Sequence, residues 1–159
     1  MKRKEFAEVL HDLMGKNQPI CLLTADLGYG LWDKIRIDYP DRFINTGSCE
    51  QLAIGMACGM ALSNKIPVVY SITPFLLYRP FELIRNFLDK DKIPITLVGG
   101  GRDKDYGKLG YSHWAHDDLD ILSTFHNIKK YKKENLDAES IKKIILDFPR
   151  RPTYINLEK

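Results

Sequence analysis

The sequence predicts an α/β fold: a single doubly wound, three-layer domain built on a mostly parallel sheet. Three observations carry that prediction. Continuous apolar runs at 19–25, 66–72 and 93–98 have the pattern of strands covered on both faces. They alternate with segments of helical periodicity, which implies crossover connections and parallel pairing. Turns rich in glycine, acids and small residues follow the runs, at the carboxyl ends of strands where ligands gather in such sheets.

Taken in order, Phe6, Val9, Leu10, Leu13 and Met14 recur at helical spacing, so residues 3–14 form an amphipathic helix ended near Gly15. The run 19–25 is the first strand, and Asp26-Leu27-Gly28-Tyr29-Gly30 is the turn at its carboxyl end. Asp26 has two readings there, cap of the following helix or ligand contact. Residues 31–39 are a short helix stopped by Pro40, and 42–44 a brief strand. After the strand 66–72 comes Thr73-Pro74-Phe75-Leu76-Leu77-Tyr78-Arg79-Pro80-Phe81, whose aromatics recur every three residues. That spacing suits either core packing or a ring-binding surface. Residues 82–88 complete a helix and 93–98 form the next buried strand.

Gly99-Gly100-Gly101 has no G-K-[ST] behind it, which argues against a phosphate loop, and residues 99–112 are predicted to be a mobile active-site loop. His116, beside Asp117 and Asp118, belongs to the start of a helix. A strand at 125–131, a helix at 140–146 cut by Pro149 and a last strand at 152–157 close the chain.

Composition narrows the function classes. With 159 residues, 44% hydrophobic and 28% charged, the chain suits one domain, read as 1–159, with a core of its own. The net charge is +3. Of its 24 basic residues, the group Lys2, Arg3, Lys4, Lys129, Lys130, Lys132, Lys133, Arg150 and Arg151 lies mostly near the ends without interleaved stacking aromatics. They read as solvated surface, not as a nucleic-acid face. Cys21, Cys49 and Cys58 form no C-x-x-C pair and read as reduced core residues. Glu5, Glu8, His11 and Asp12 interrupt the segment after Met1-Lys2-Arg3-Lys4, so neither a signal peptide nor a membrane span is predicted and a cytoplasmic location is expected. His113 and His116 near carboxylates suggest metal, but no third ligand has convincing spacing.

The stretch from Asn45 to Leu62 is the pivot. Ser48 followed three residues later by Gln51 has the form of a capping box, which predicts Ser48 as N-cap and Glu50 in the first turn. No charge follows until Lys65. Ala53, Gly55, Ala57, Gly59 and Ala61 make a thin helix, although each glycine costs about 1 kcal/mol in propensity. Such a helix suits close approach by a strand, a partner chain or a flat ligand. Glu50 itself has two readings. It complements the helix macrodipole, or it is buried without a cation, where burial and the helix terminus pull its proton affinity in opposite directions. In the second case it can share a proton with a ligand base.

Gly47-Ser48-Cys49-Glu50-Gln51 ahead of this small-residue helix resembles the Gly-x-x-Glu-Gln segment of the pyrimidine-binding domain of transketolases and deoxyxylulose-phosphate synthases, which use thiamine diphosphate. The likeness extends to Ala25-Asp26-Leu27, to the aromatic turn, and to Gly110-Tyr111-Ser112-His113, and it covers about residues 3–157. Pro74 departs from the pattern. The resemblance implies that Glu50 hydrogen-bonds N1′ of the aminopyrimidine and so promotes deprotonation of thiazolium C2. It implies further that Phe75, with Tyr78 and Phe81, borders the ring, that Asp26 and Leu27 lie near it across a subunit interface, and that His113 faces the substrate, exchanging a proton near neutral pH.

In this family the diphosphate is held through Mg²⁺ by a domain bearing Gly-Asp-Gly, and that motif does not occur here. The resemblance therefore implies a second subunit that carries the motif and the Mg²⁺ ligands, assembled as a heterotetramer with two sites. The small-residue helix and the Asp26 turn would face it. The function implied is transfer of a two-carbon ketol or acyl unit between small carbonyl or sugar compounds. Alternatives are the pyrimidine subunit of a split 2-oxo-acid decarboxylase, a non-catalytic regulatory or scaffolding subunit of the same fold, and a stand-alone nucleotide-binding module.

Overall fold

A computed structural model describes residues 1–16, 19–131, 136–147 and 149–159. Among these residues six parallel strands form one sheet in the order β2-β1-β3-β4-β6-β5: β1 (Ile20–Thr24), β2 (Phe43–Asn45), β3 (Ile66–Ile72), β4 (Thr96–Gly100), β5 (Lys129–Tyr131) and β6 (Thr153–Leu157). Every residue of β1, β3, β4 and β6 is buried, as continuous apolar runs require.

Successive side chains of a strand point to opposite faces, and the two faces carry separate cores. On one, Ile20, Leu22, Val68 and Tyr70 pack under α1 (Arg3–Gly15), α2 (Asp33–Asp38) and α7 (Ala138–Leu146). On the other, Leu23, Val69 and Leu97 pack under α3 (Glu50–Leu62), α4 (Thr73–Tyr78) and α6 (Asp118–Ser123). The short helix α5 (Phe81–Leu83) joins that second layer and runs on as a wider π-helical turn, Ile84–Lys90. This is the doubly wound, three-layer fold expected. The chain leaves β1 toward β2 over one face, then crosses back over the other to reach β3 on the far side of β1. The strand order therefore reverses at β1, and the crevice beyond the carboxyl ends of β1 and β3 is a switch point of the kind that binds ligands.

Several boundaries differ from expectation. The helix predicted at 31–39 is held to Asp33–Asp38, because the turn before it bends through two left-handed glycines, Gly28 (φ 83) and Gly30 (φ 71). The strand predicted at 93–98 starts at Thr96, past Pro94, and takes in Gly99 and Gly100. These glycines serve packing. A Cβ on Gly99 would meet Thr73 Oγ1 at 2.5 Å, and one on Gly100 would meet Tyr70 OH at 2.5 Å. The loop predicted at 99–112 is thus shorter by two residues and is built from tight turns, including Gly107–Leu109 and Tyr111–His113. The strand at 125–131 is reduced to Lys129–Tyr131. Lys132 and Lys133, read as surface, lie outside the described residues.

In α3 the small residues divide by face. Ala53, Ala57 and Ala61, four apart, are buried against the sheet, whereas Gly55 and Gly59 are exposed with open space where a Cβ would stand. Replacing Gly100 by Ala should destabilise the chain by about 1–3 kcal/mol through overpacking against Tyr70. Gly59→Ala should stabilise it by roughly 0.5–1 kcal/mol, since a helical position gains propensity with no clash. Urea unfolding midpoints of the two variants, displaced in opposite directions from wild type, check both.

Candidate active site

The chain turns into α3 through Gly47, whose φ of 67 only glycine adopts easily. Asn45, the last residue of β2, ties this turn to the one after β1. Its Oδ1 accepts the N–H groups of Asp26 (2.8 Å) and Gly47 (3.0 Å), while its Nδ2 donates to Asp26 Oδ1 (3.2 Å). Asp26 is itself left-handed, with φ 55, and also accepts from Tyr29 OH. It does not cap α2, whose N-cap position is Trp32. Leu27 supplies a carbonyl that accepts from Thr24 Oγ1 at 2.8 Å.

The helix opens one residue later than its capping-box pattern predicts. Cys49 holds the N-cap position and makes no side-chain cap bond, because the tight turn joining Cys49 N–H to Gly47 O leaves Ser48 outside the helix. Cys49 is accordingly exposed, in contrast to buried Cys21 and Cys58. The later start aims Glu50 inward, where its side chain is 1% exposed. The expectation of burial without a cation is corrected. Ser71 Oγ, on the α3 side of β3, donates to Oε1 at 2.9 Å, and Arg79 Nη1 donates to Oε2 at 2.8 Å. An ionised carboxylate here without partners would cost several kcal/mol, so the two donors are conditions of its burial.

Arg79 also covers Phe75, its guanidinium carbon 3.8 Å from the ring centroid, and His113 meets the Phe75 ring edge-on at 4.9 Å. Glu50, Arg79, Phe75 and His113 are thus in serial contact. His113 Nδ1 lies 3.0 Å from Ser112 Oγ. Phe75 and Arg79 line a cavity of 280 Å³ with Pro74, Tyr78, Trp114 and Asp117. Tyr78 OH donates to Asp117 Oδ2, and burial together with that bond raises the phenol's pKa above its usual value. Phe81 is instead turned onto Phe125 (5.2 Å) in the second core. His116 packs on Tyr111 and Trp114 just before α6. Among the described residues no group of three or more His, Cys, Asp or Glu could hold a metal ion, and no helix is long and apolar enough to cross a membrane.

A larger cleft, 710 Å³, opens beside the Leu27–Gly28 turn. Lys2, Arg3, Lys4 and Lys159 line it with Tyr29, Tyr70 and Tyr106, so the amino-terminal cations are part of a concave basic wall and not merely scattered surface. Arg3, half-buried, donates to Tyr106 OH at 3.2 Å. Sequence reasoning missed Ser71, Arg79 and Asn45. Ser71 is the one hydroxyl in the otherwise apolar run of β3 apart from Tyr70, and Arg79 follows Phe75 at helical spacing. Both signals are visible only once Glu50 is known to be buried.

Comparisons with known proteins identify the family and the fold. Residues 1–138 match the family described as transketolase, pyrimidine binding domain. The chain belongs to that family. It is 31% identical, over 98% of its length, to a putative transketolase C-terminal section of Methanocaldococcus jannaschii, of which the match covers 52%. It is 33% identical, over 58% of its length, to one of the subunits of the apulose-4-phosphate transketolase of Actinobacillus succinogenes, covering 30% of that protein. Among solved structures, a split-gene transketolase described as an inactive beta4 tetramer superimposes with a TM-score of 0.79 at 27% identity, over 98% of this chain and 50% of that one. The transketolase of Campylobacter jejuni shares the fold with a TM-score of 0.81 at 19% identity, over 99% of this chain and 25% of that one. The chain thus spans about half or less of the curated relatives named here.

Behind the site, Asp118 accepts from Tyr154 OH and Asn156 Nδ2, each at 2.8 Å. Burial raises its pKa above 3.8, outweighing those two hydrogen bonds. The fold therefore binds this proton more tightly than the unfolded chain does. Its contribution to stability is present in acid and is lost as pH rises through the folded pKa. Subtracting the unfolding free energy of Asp118→Asn from that of wild type should give a difference that falls as pH is raised from about 4 and then levels off. Urea titrations across pH 3–7 read it.

Proposed function

We propose that residues 1–159 act as one pyrimidine-binding domain, the subunit of a split transketolase-like enzyme that moves a two-carbon ketol or acyl unit between carbonyl compounds with thiamine diphosphate. The observation that carries this reading is the Glu50 carboxylate, buried at the strand-order reversal and one side chain away from an aromatic face. The donor set fits the cofactor's aminopyrimidine: an acid able to share a proton with a ring nitrogen, a phenyl face for stacking, and an apolar cavity wall. When bound, thiamine diphosphate supplies a nucleophilic carbon and an electron sink for the cleaved carbon–carbon bond.

In this proposal Glu50 holds the proton shared with N1′, Phe75 and Tyr78 border the ring, and His113, on the far edge of Phe75, exchanges protons with substrate oxygens. Phe81 supports the layer from behind through Phe125. Asp26 and Leu27 shape the neighbouring wall, and the basic cleft beside them suits an anionic sugar substrate. The diphosphate and Mg²⁺ belong to a partner subunit carrying Gly-Asp-Gly, in a heterotetramer with two copies of each chain. The exposed side of α3, with Leu52, Gly55, Met56 and Gly59, is the surface assigned to that partner. Relatives described as a split-gene enzyme, as a C-terminal section and as one subunit of a transketolase support the division.

In the complex reconstituted with the chain that co-purifies from the native cell, Glu50→Gln should lower turnover by about 10²- to 10⁴-fold, the span of general acid–base assistance. Turnover indifferent to the substitution would leave a scaffolding role. Carbon dioxide release from a 2-oxo acid without an aldehyde acceptor would mark a decarboxylase instead. Arg3→Ala should raise KM for a phosphorylated sugar by about tenfold with kcat little changed, the signature of lost uniform binding.

A further inference from the structure

We propose that Arg79 is a built-in occupant of the pyrimidine site, whose guanidinium must leave Glu50 and Phe75 before a cofactor ring can bind. The inference rests on the function proposed above and goes beyond it by naming what fills the site beforehand.

The two groups assigned to the ring, the free oxygen of Glu50 and the face of Phe75, are both taken by one flat, nitrogen-bearing cation. Arg79 Nη1 is 2.8 Å from Glu50 Oε2, and its guanidinium carbon stands 3.8 Å from the Phe75 centroid. A guanidinium and an aminopyrimidine carrying a proton at N1′ are both flat and can each place one N–H on a carboxylate while lying on a phenyl face, so the two compete for the same pair of contacts. The other Glu50 oxygen is committed to Ser71 on the sheet, which leaves Oε2 as the one over which the two compete.

The occupant is also the movable member. Glu50 is 1% exposed and fixed in the first turn of α3, whereas Arg79 is 44% exposed and sits just past the end of α4 on a long, unbranched side chain. Proton counting points the same way. An ion pair uses the carboxylate form, while N1′ of a neutral ring is an acceptor like the carboxylate, so their hydrogen bond requires a proton between them. The guanidinium departs with its own proton, and the proton between Glu50 and the ring comes from solvent. Before the ring arrives, Arg79 spares the chain an unpaired buried charge.

The test compares wild type, Arg79→Met and Arg79→Gln in the complex reconstituted with its partner, titrated with thiamine diphosphate and Mg²⁺ and followed by tryptophan fluorescence. If the closed arrangement leaves about a tenth of the sites open, removing it lowers the dissociation constant by about tenfold. Thermal unfolding gives the second readout. Arg79→Met should lower the melting temperature of the free chain yet leave that of the cofactor-loaded complex near wild type, because the pair exists only in the empty site. Arg79→Gln, which keeps a donor for the carboxylate, replaces it should the methionine variant not fold. An unchanged or weakened affinity, or equal destabilisation of empty and loaded forms, overturns the proposal. A wild-type complex that does not bind thiamine diphosphate removes the functional reading itself, and the proposal with it.

Discussion

A carboxylate placed inside an apolar layer at the amino end of a helix is the constraint on which the rest of this structure depends. Glu50 lies under the first turn of α3, in contact with neither bulk water nor a fully buried cation. Burying such a group is tolerable only where fixed donors meet it. Ser71 provides one from the sheet below and Arg79 the other from the helix beside it. Because the donors come from β3 and from the end of α4, the acid cannot keep its position unless both elements are docked. The same two bonds join the sheet, α3 and α4 at the reversal of strand order.

The topology supplies the place and the turns supply the aim. Crossing from β2 over to β3 leaves a gap at the carboxyl end of β1, and the helix entering that crossover must begin there. Asn45 fixes the two turns that flank the gap against each other, with three hydrogen bonds from one side chain. Left-handed Asp26 and Gly47 are the backbone positions those bonds stabilise. The alanine stripe of α3 then lets the helix lie close on β1 and β3, while its glycines are left facing outward with no described atom within 4 Å of their Cβ positions.

Much of this was legible in the sequence, and the reason is periodicity. The buried runs of β1, β3 and β6 and the helical spacing of Phe6, Val9, Leu10 and Leu13 report local burial, which is what apolar patterning encodes. Glu50, Phe75 and His113 stood out through short motifs, and the fold brings Phe75 and His113 into ring contact across 38 positions of chain. What patterning did not encode was pairing. Nothing local marks Arg79 as the partner of an acid 29 residues earlier, and Ser48-x-x-Gln51 satisfies the capping pattern although a tight turn displaces the helix start. Gly99 and Gly100 look like a loop until Tyr70 and Thr73 are seen to occupy the space their side chains would need.

The placement of His113 follows from the same logic applied to an irregular segment. Its backbone belongs to neither strand nor long helix, so its position is set by the anchors on either side. On one side Arg102, 6% exposed, donates to Asn156 O and to Glu158, while its own N–H is accepted by Asp105. On the other, Ala115 N–H donates to Asp103 O at 2.7 Å and Trp114 Nε1 donates to Gly107 O at 3.0 Å. Thr73, at the start of α4, donates to Gly101 O, and Asn156 donates to Asp118 at the start of α6. The carboxyl end of β6 therefore ties the His113 segment to the helix that carries Phe75. An imidazole on a turn and a phenyl on a helix keep a fixed edge-to-face contact because both are referred to the same buried strand end.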